Sequence, residues 1–74
     1  MSMRGHILYK KLGSNLIYER RRQNLSQEEL AELARIDRTY LARIENGKAN
    51  PSITIIYRLT NSLKIAIHEI LKGI

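Results

Sequence analysis

The sequence predicts an all-α chain of five short helices, and three observations carry that expectation. Apolar residues recur at three- and four-residue spacing along most of its length. No segment alternates apolar and polar residues on the two sides of a turn dipeptide, as a hairpin would. Start and stop signals cut the chain into pieces of helix length: Ser26, Asp37 and Ser52 stand ahead of apolar runs, and Asn46-Gly47 stands behind one. With 74 residues there is room for one small domain. It is expected over residues 8–74, behind a flexible basic arm at residues 1–7.

The first helix is expected over about residues 9–22, where Leu8, Leu12 and Leu16 repeat at i+4 with Ile17 alongside. Gly13 lies inside it and costs about 1 kcal/mol relative to alanine. The second helix is better marked. Ser26 and Glu29 form a capping box, in which each side chain satisfies the other's orphan backbone N–H. Glu28, Glu29 and Glu32 crowd the first turns, where the positive end of the helix dipole favours them. Leu30, Leu33 and Ala34 supply its apolar face. Asp37 then caps a third helix running to Glu45, with Leu41 and Ile44 on one side. Asn46-Gly47 stops it, glycine taking the left-handed conformation. Beyond Pro51, Ser52 caps a fourth helix striped by Ile53, Ile56, Leu59 and Leu63. Ile55 and Tyr57 fall off that stripe, either to meet a second copy or to lie partly exposed. A fifth helix over about residues 66–71 would pack Ile67, Ile70 and Leu71.

The net charge of +6 is unevenly spread. Residues 1–22 hold Arg4, Lys10, Lys11, Arg20, Arg21 and Arg22 against Glu19 alone, whereas residues 23–45 are acidic on balance. An excess of positive charge favours a polyanionic partner, nucleic acid or an anionic surface. No run approaches the ~18 apolar residues of a membrane span, and the first residues do not read as a signal peptide. Cysteine is absent, which excludes disulfides and thiolate zinc sites and is compatible with the cytoplasm, the location expected. His6 and His68 are the only histidines, so no metal site is expected. Ser26 is accounted for by its capping box, there is no glycine-rich phosphate loop, and nothing supports an enzyme or a cofactor. A chain this small often relies on a partner for stability, so a dimer is expected.

Ala34, Arg35 and Ile36 leave too little chain between the second and third helices for them to lie side by side. They must cross steeply, as in a helix-turn-helix, over about residues 27–46. Ala31 is small enough to let them approach, while Ile36, Leu41 and Ile44 fill the angle. The outer side of the third helix then presents Arg38, Thr39, Ala42 and Arg43. An α-helix fits the DNA major groove, and arginine can bond guanine O6 and N7 together. Against this, Arg38 and Arg43 could merely pair with Asp37 or Glu45.

These residues resemble the lambda-repressor-like helix-turn-helix domain of the XRE family over residues 12–71. The resemblance rests on Arg20, Leu25-Ser26-Gln27-Glu28-Glu29-Leu30-Ala31, Ile44-Glu45-Asn46-Gly47-Lys48 and Asn50-Pro51-Ser52. Asp37-Arg38-Thr39-Tyr40 is also similar to the recognition helices of restriction–modification controller proteins, short single-domain dimers. The resemblance implies that Gln27 bonds a phosphate and braces the third helix. It implies that Arg38, Thr39, Tyr40 and Arg43 face the groove, and that Asn46, Lys48 and either Asn50 or Ser52 hold the DNA backbone. Tyr40 could equally pack. Arg20 and Glu45 occupy the positions of a buried ion pair. Three residues depart from the family pattern: Arg35 and Lys64 where glycine is common, and Ala66 where a capping serine or threonine is common. A left-handed backbone at Arg35 would cost about 1–2 kcal/mol.

The function implied is transcriptional regulation by a homodimer on a pseudo-palindromic double-stranded DNA operator, with pairing through the C-terminal helices (Ile67, Ile70, Leu71, Ile74). Repression and autoregulation come first, with activation by contact with RNA polymerase as a further route. Two other classes stay open at this point. One is an antitoxin-like protein that neutralises a protein partner and autoregulates through its helix-turn-helix. The other is a basic module that binds nucleic acid without sequence choice.

Overall fold

The computed structural model describes residues 5–74, which form α1 (Gly5–Arg22), α2 (Gln27–Ala34), α3 (Arg38–Glu45), α4 (Ile53–Leu63) and α5 (Ile67–Ile70). The helix order agrees with the sequence reading, but α1 begins at Gly5, about one turn earlier than expected, and takes in Gly5, His6 and Ile7 of the expected arm. Residues 1–4 lie outside the described residues.

Local chemistry accounts for the helix starts. Ser26 Oγ accepts from the Glu29 N–H at 3.0 Å while Glu29 Oε1 accepts from the Ser26 N–H at 2.8 Å, closing the capping box reciprocally. Asp37 Oδ1 accepts from the Thr39 N–H at 2.8 Å, and Ser52 Oγ accepts from the Ile55 N–H at 3.2 Å. At Ala66 no side chain caps α5.

Four helices stop by one geometry. A residue at positive φ donates back three positions, and the next residue donates back five, which is the Schellman pattern. The turning residues are Asn24 (φ 58°), Arg35 (φ 58°), Gly47 (φ 72°) and Lys64 (φ 58°). The five-back bonds are Leu25 N–H to Arg20 O at 3.1 Å, Ile36 to Ala31 at 3.0 Å, Lys48 to Arg43 at 2.8 Å and Ile65 to Thr60 at 3.0 Å. Glycine occupies only the stop after α3. At the other three the following residue is apolar, and Leu25, Ile36 and Ile65 each pack on the core. That burial offsets the cost of a left-handed side-chain-bearing residue.

The core is aliphatic: Leu12 and Leu16 of α1, Leu30, Ala31 and Ala34 of α2, Leu41 and Ile44 of α3, Leu59 and Leu63 of α4, and Ile70 of α5. Three expected core residues lie elsewhere. Leu33 is 57% exposed, because α2 turns Leu30, Ala31 and Ala34 inward and leaves Leu33 around the helix from them. Ile53 is 66% exposed, because α4 turns Ile55, Ile56, Leu59 and Leu63 toward the core and leaves its first residue uncovered. Leu71 lies beyond the end of α5 and is exposed. Conversely, Ile70 is 1% exposed within a single chain, so it is a core residue and is not available to a pairing surface.

Gly13 has its reason in α3. A Cβ there would fall 2.6 Å from the Ile44 carbonyl oxygen and closer still to that of Glu45. Gly47 repeats the device: a Cβ on it would lie 2.7 Å from Lys10 Cα. The C-terminal end of α3 is thus seated directly on the α1 backbone.

Candidate nucleic-acid interface

α3 is held from its inner side by a polar cluster that spans α1, α2 and α3. Arg20 Nε donates to Glu45 Oε2 at 2.7 Å and its Nη2 to Glu45 Oε1 at 3.1 Å, a bidentate pair. The remaining Arg20 arm, Nη1, donates to the Leu25 carbonyl at 2.7 Å. Gln27 Nε2 donates to Glu45 Oε1 at 2.9 Å. Glu45 is 4% exposed and Arg20 8%. Each charge therefore has its partner and its further hydrogen bonds, the condition under which a buried pair is tolerated. The expected Arg20–Glu45 pair is present, and Gln27, the first residue of α2, braces the last residue of α3.

With Leu41, Ile44 and Glu45 turned inward, α3 leaves Arg38, Thr39 and Arg43 exposed. Tyr40 is half-buried and packs against the core. Asn46, Lys48, Asn50 and Ser52 are exposed along the chain leaving α3, and Gln27 is half-buried beside it. Arg43 Nη2 donates to the Lys48 carbonyl at 2.8 Å, so its guanidinium is fixed over the loop. Among the described residues the ion pairs are Arg20–Glu45 and Arg22–Glu19. Neither Arg38 nor Arg43 is neutralised by Asp37 or Glu45. Ser52 spends an oxygen lone pair on the α4 cap and keeps its O–H to donate.

Arg22 is paired with Glu19. Its Nε and Nη2 reach Glu19 Oε1 at 3.0 and 2.8 Å, and this hydrogen bond to a carboxylate raises the guanidinium above its ordinary range. Glu29 is shifted the other way: its hydrogen bonds from the backbone and then the side chain of Ser26 hold its carboxyl below the usual range.

Sequence reasoning missed Arg58. From α4 its Nε donates to Ala34 O at 3.0 Å and its Nη2 to Arg35 O at 2.6 Å, closing the end of α2 and the turn into α3. It thus sets the entry to the helix that carries Arg38 and Thr39. The signal available was indirect: a left-handed Arg35 leaves carbonyls that need a donor, but the spacing does not say which one. Asn15 and Gln23 were missed in the same way. Asn15 Nδ2 bonds Ile70 O and Lys72 O, both at 2.9 Å, and Gln23 Nε2 bonds Leu63 O at 2.6 Å.

Among the described residues no helix is long and apolar enough to cross a membrane, and no group of three or more potential metal-binding side chains comes together.

Comparison with known proteins agrees with this geometry. The helix-turn-helix family profile matches residues 16–70. The uncharacterized HTH-type transcriptional regulator y4dJ of Sinorhizobium fredii is 33% identical over 61 residues, 82% of this chain and 79% of that protein. The restriction–modification controller protein C.AhdI from Aeromonas hydrophila superposes with a TM-score of 0.83 at 37% identity, covering 84% of this chain and 94% of that one. The controller protein C.Esp1396I, solved as a tetramer on its natural 35-base-pair operator, gives a TM-score of 0.76 at 29% identity over 88% of this chain and 96% of that one. The chain belongs to the helix-turn-helix family of transcriptional regulators.

Proposed function

We propose that this chain acts in the cytoplasm as a homodimer that binds a pseudo-palindromic operator in double-stranded DNA, with α3 in the major groove. It is read as a repressor and autoregulator of the restriction–modification controller kind. The observation that carries the reading is the contrast between the two sides of α3. The inner side is buried and clamped through Arg20, Glu45 and Gln27, while the outer side offers exposed Arg38, Thr39 and Arg43, and among the described residues neither arginine is ion-paired with a carboxylate. Recognition helices read bases from their first turns, which is where Arg38 and Thr39 stand. Arg43, fixed by the Lys48 carbonyl, retains guanidinium N–H groups for a guanine edge. Gln27, Asn46, Lys48, Asn50 and Ser52 would meet phosphates on either side, which position the protein without reading sequence. Tyr40 contributes through packing and whatever part of its ring the groove can reach.

The similarity to C.AhdI and C.Esp1396I, and the operator complex of the latter, support the controller assignment. Pairing is proposed at the C-terminal end, where Leu71 and Ile74 are exposed and line an apolar groove with Leu8, Tyr9 and Ile56. Ile67 is half-buried and contributes its remaining surface.

Selection from random duplex DNA at ~0.15 M salt, where purely electrostatic binding is weak, tests the reading. It should enrich a palindrome with half-sites about 34 Å apart centre to centre. Arg43→Ala should then lose about 1–3 kcal/mol and relax one base position in each half-site. Folded protein that enriches no sequence would refute the proposal. An Arg43→Ala variant that weakens all sequences equally would remove Arg43 from base reading.

A further inference from the structure

Lys10 and Lys11 are adjacent in sequence, equal in charge and both exposed, yet the fold sends them to different places. Lys10 lies on the side of α1 that receives the end of α3. A Cβ built on Gly47 would come within 2.7 Å of Lys10 Cα, 2.9 Å of its N and 3.0 Å of its Cβ. The stem of Lys10 therefore starts against the loop that carries Asn46 and Lys48. Lys11 turns toward the C-terminal end of the chain: a Cβ on Gly73 would meet its Cε at 2.7 Å and its Nζ at 3.2 Å.

The surroundings of Lys10 are electrostatically one-sided. The nearest acidic side chain along α3, Glu45, is buried and fully engaged by Arg20 and Gln27. Lys10 on α1 and Lys48 on the loop thus both leave the backbone beside Gly47, and among the described residues neither is paired with a carboxylate. Unpaired cations rooted beside one another favour an external anion.

From this arrangement we infer that Lys10 is a DNA-backbone contact of α1, reaching the same strand as Asn46 and Lys48 and extending the interface beyond the helix-turn-helix. The inference rests on the DNA-binding reading above. The occupant is a phosphate of the duplex, because a flexible ammonium suits a point contact to phosphate and carries no base preference. Gly47 has a second role in this account: lacking a side chain, it lets the Lys10 backbone come up against the loop that carries Lys48.

Salt titration of operator binding separates Lys10 from Lys11. Each phosphate contact contributes about −0.9 to the slope of log K against log salt on B-form DNA. Lys10→Ala should flatten the slope by about 0.9 per subunit and weaken every duplex alike. For a dimer that amounts to about a twelvefold smaller loss of affinity over a fourfold rise in salt. Lys10→Arg should keep the wild-type slope. Lys11→Ala makes the same change in net charge and should leave the slope unaltered. Equal slopes for Lys10→Ala and Lys11→Ala, shifted or not, would overturn the inference. If Lys48→Ala flattens the slope while Lys10→Ala does not, only Lys10 is excluded and the DNA-binding reading stands. If the wild-type protein binds no duplex, both fall together.

Discussion

Glu45→Ala tests the clamp behind α3 most directly. The substitution removes two charge-assisted bonds from Arg20 and one from Gln27, while Arg20 keeps its bond to the Leu25 carbonyl. What remains is a guanidinium whose side chain is 9% exposed and has lost its counter-charge. Breaking a buried pair from one side costs about 3–5 kcal/mol. The retained Leu25 bond and the position of Arg20 nearer the surface favour the lower end. A chain of this length has a total stability of about 4–11 kcal/mol at typical values per residue. A loss of about 3 kcal/mol is therefore a large fraction of the whole. With an unfolding entropy near 2 cal/mol/K per residue, it corresponds to a fall of about 20 °C in Tm. Urea titration followed by helical circular dichroism should show a lower midpoint at an unchanged slope. The double variant Arg20→Met with Glu45→Leu should recover most of the loss, because no charge is then stranded. A loss below about 1 kcal/mol for Glu45→Ala, the range of an exposed pair, would show that the cluster does not hold α3.

Four further outcomes follow from the helix contacts and caps. Gly13→Ala gains nearly 1 kcal/mol in helix propensity but forces a Cβ onto the Ile44 and Glu45 carbonyls, so a net loss of about 2 kcal/mol is expected; a rise in Tm would contradict the close approach. Arg35→Gly relieves about 1–2 kcal/mol of left-handed strain and gives back about 0.4–1 kcal/mol through a freer unfolded chain, so Tm should rise by a few degrees. Arg58 bonds the Arg35 carbonyl, which that change leaves in place; a fall in Tm would instead assign stability to the Arg35 side chain. Ser26→Ala should cost about 1 kcal/mol at neutral pH. Its partner Glu29 has a folded-state pKa held below the ordinary carboxylate range, so its contribution is complete above that range and is lost as pH falls through the depressed value. The stability gap between wild type and Glu29→Gln should therefore narrow in acid, and a gap independent of pH would contradict the capping geometry.

The features legible in the sequence were those written within a few residues. The capping box, the caps at Asp37 and Ser52 and the short turn between α2 and α3 all have local causes, and all are present. The exposed candidates on α3 followed from the helical spacing of Leu41 and Ile44. Which flank of an apolar helix turns inward was harder to read. Leu33 and Ile53 fit their stripes by period, yet neighbours from other helices decide burial. The first turn of α1 was hidden because the basic residues at the start read as an arm, and the cost of Gly13 within the helix is offset by the contact it permits with α3. Side chains that close helix ends at long range were invisible. Asn15 reaches Ile70, Gln23 reaches Leu63 and Arg58 reaches Ala34, and no spacing rule connects such pairs.

The tie between Asn15 and the end of α5 bears on how the protein breathes. α5 is a single turn without a side-chain cap, far below the length at which a helix persists alone. Its order is borrowed from Ile70 in the core and from one amide group on α1. Releasing those few attachments frees the segment without disturbing the clamp on α3, so its backbone protons should exchange with solvent through a small opening, well before those of α1 or α3. A second copy arriving at Leu71 and Ile74 would close that opening, and isotope uptake at this one turn would then report assembly while the DNA-facing helices stayed silent.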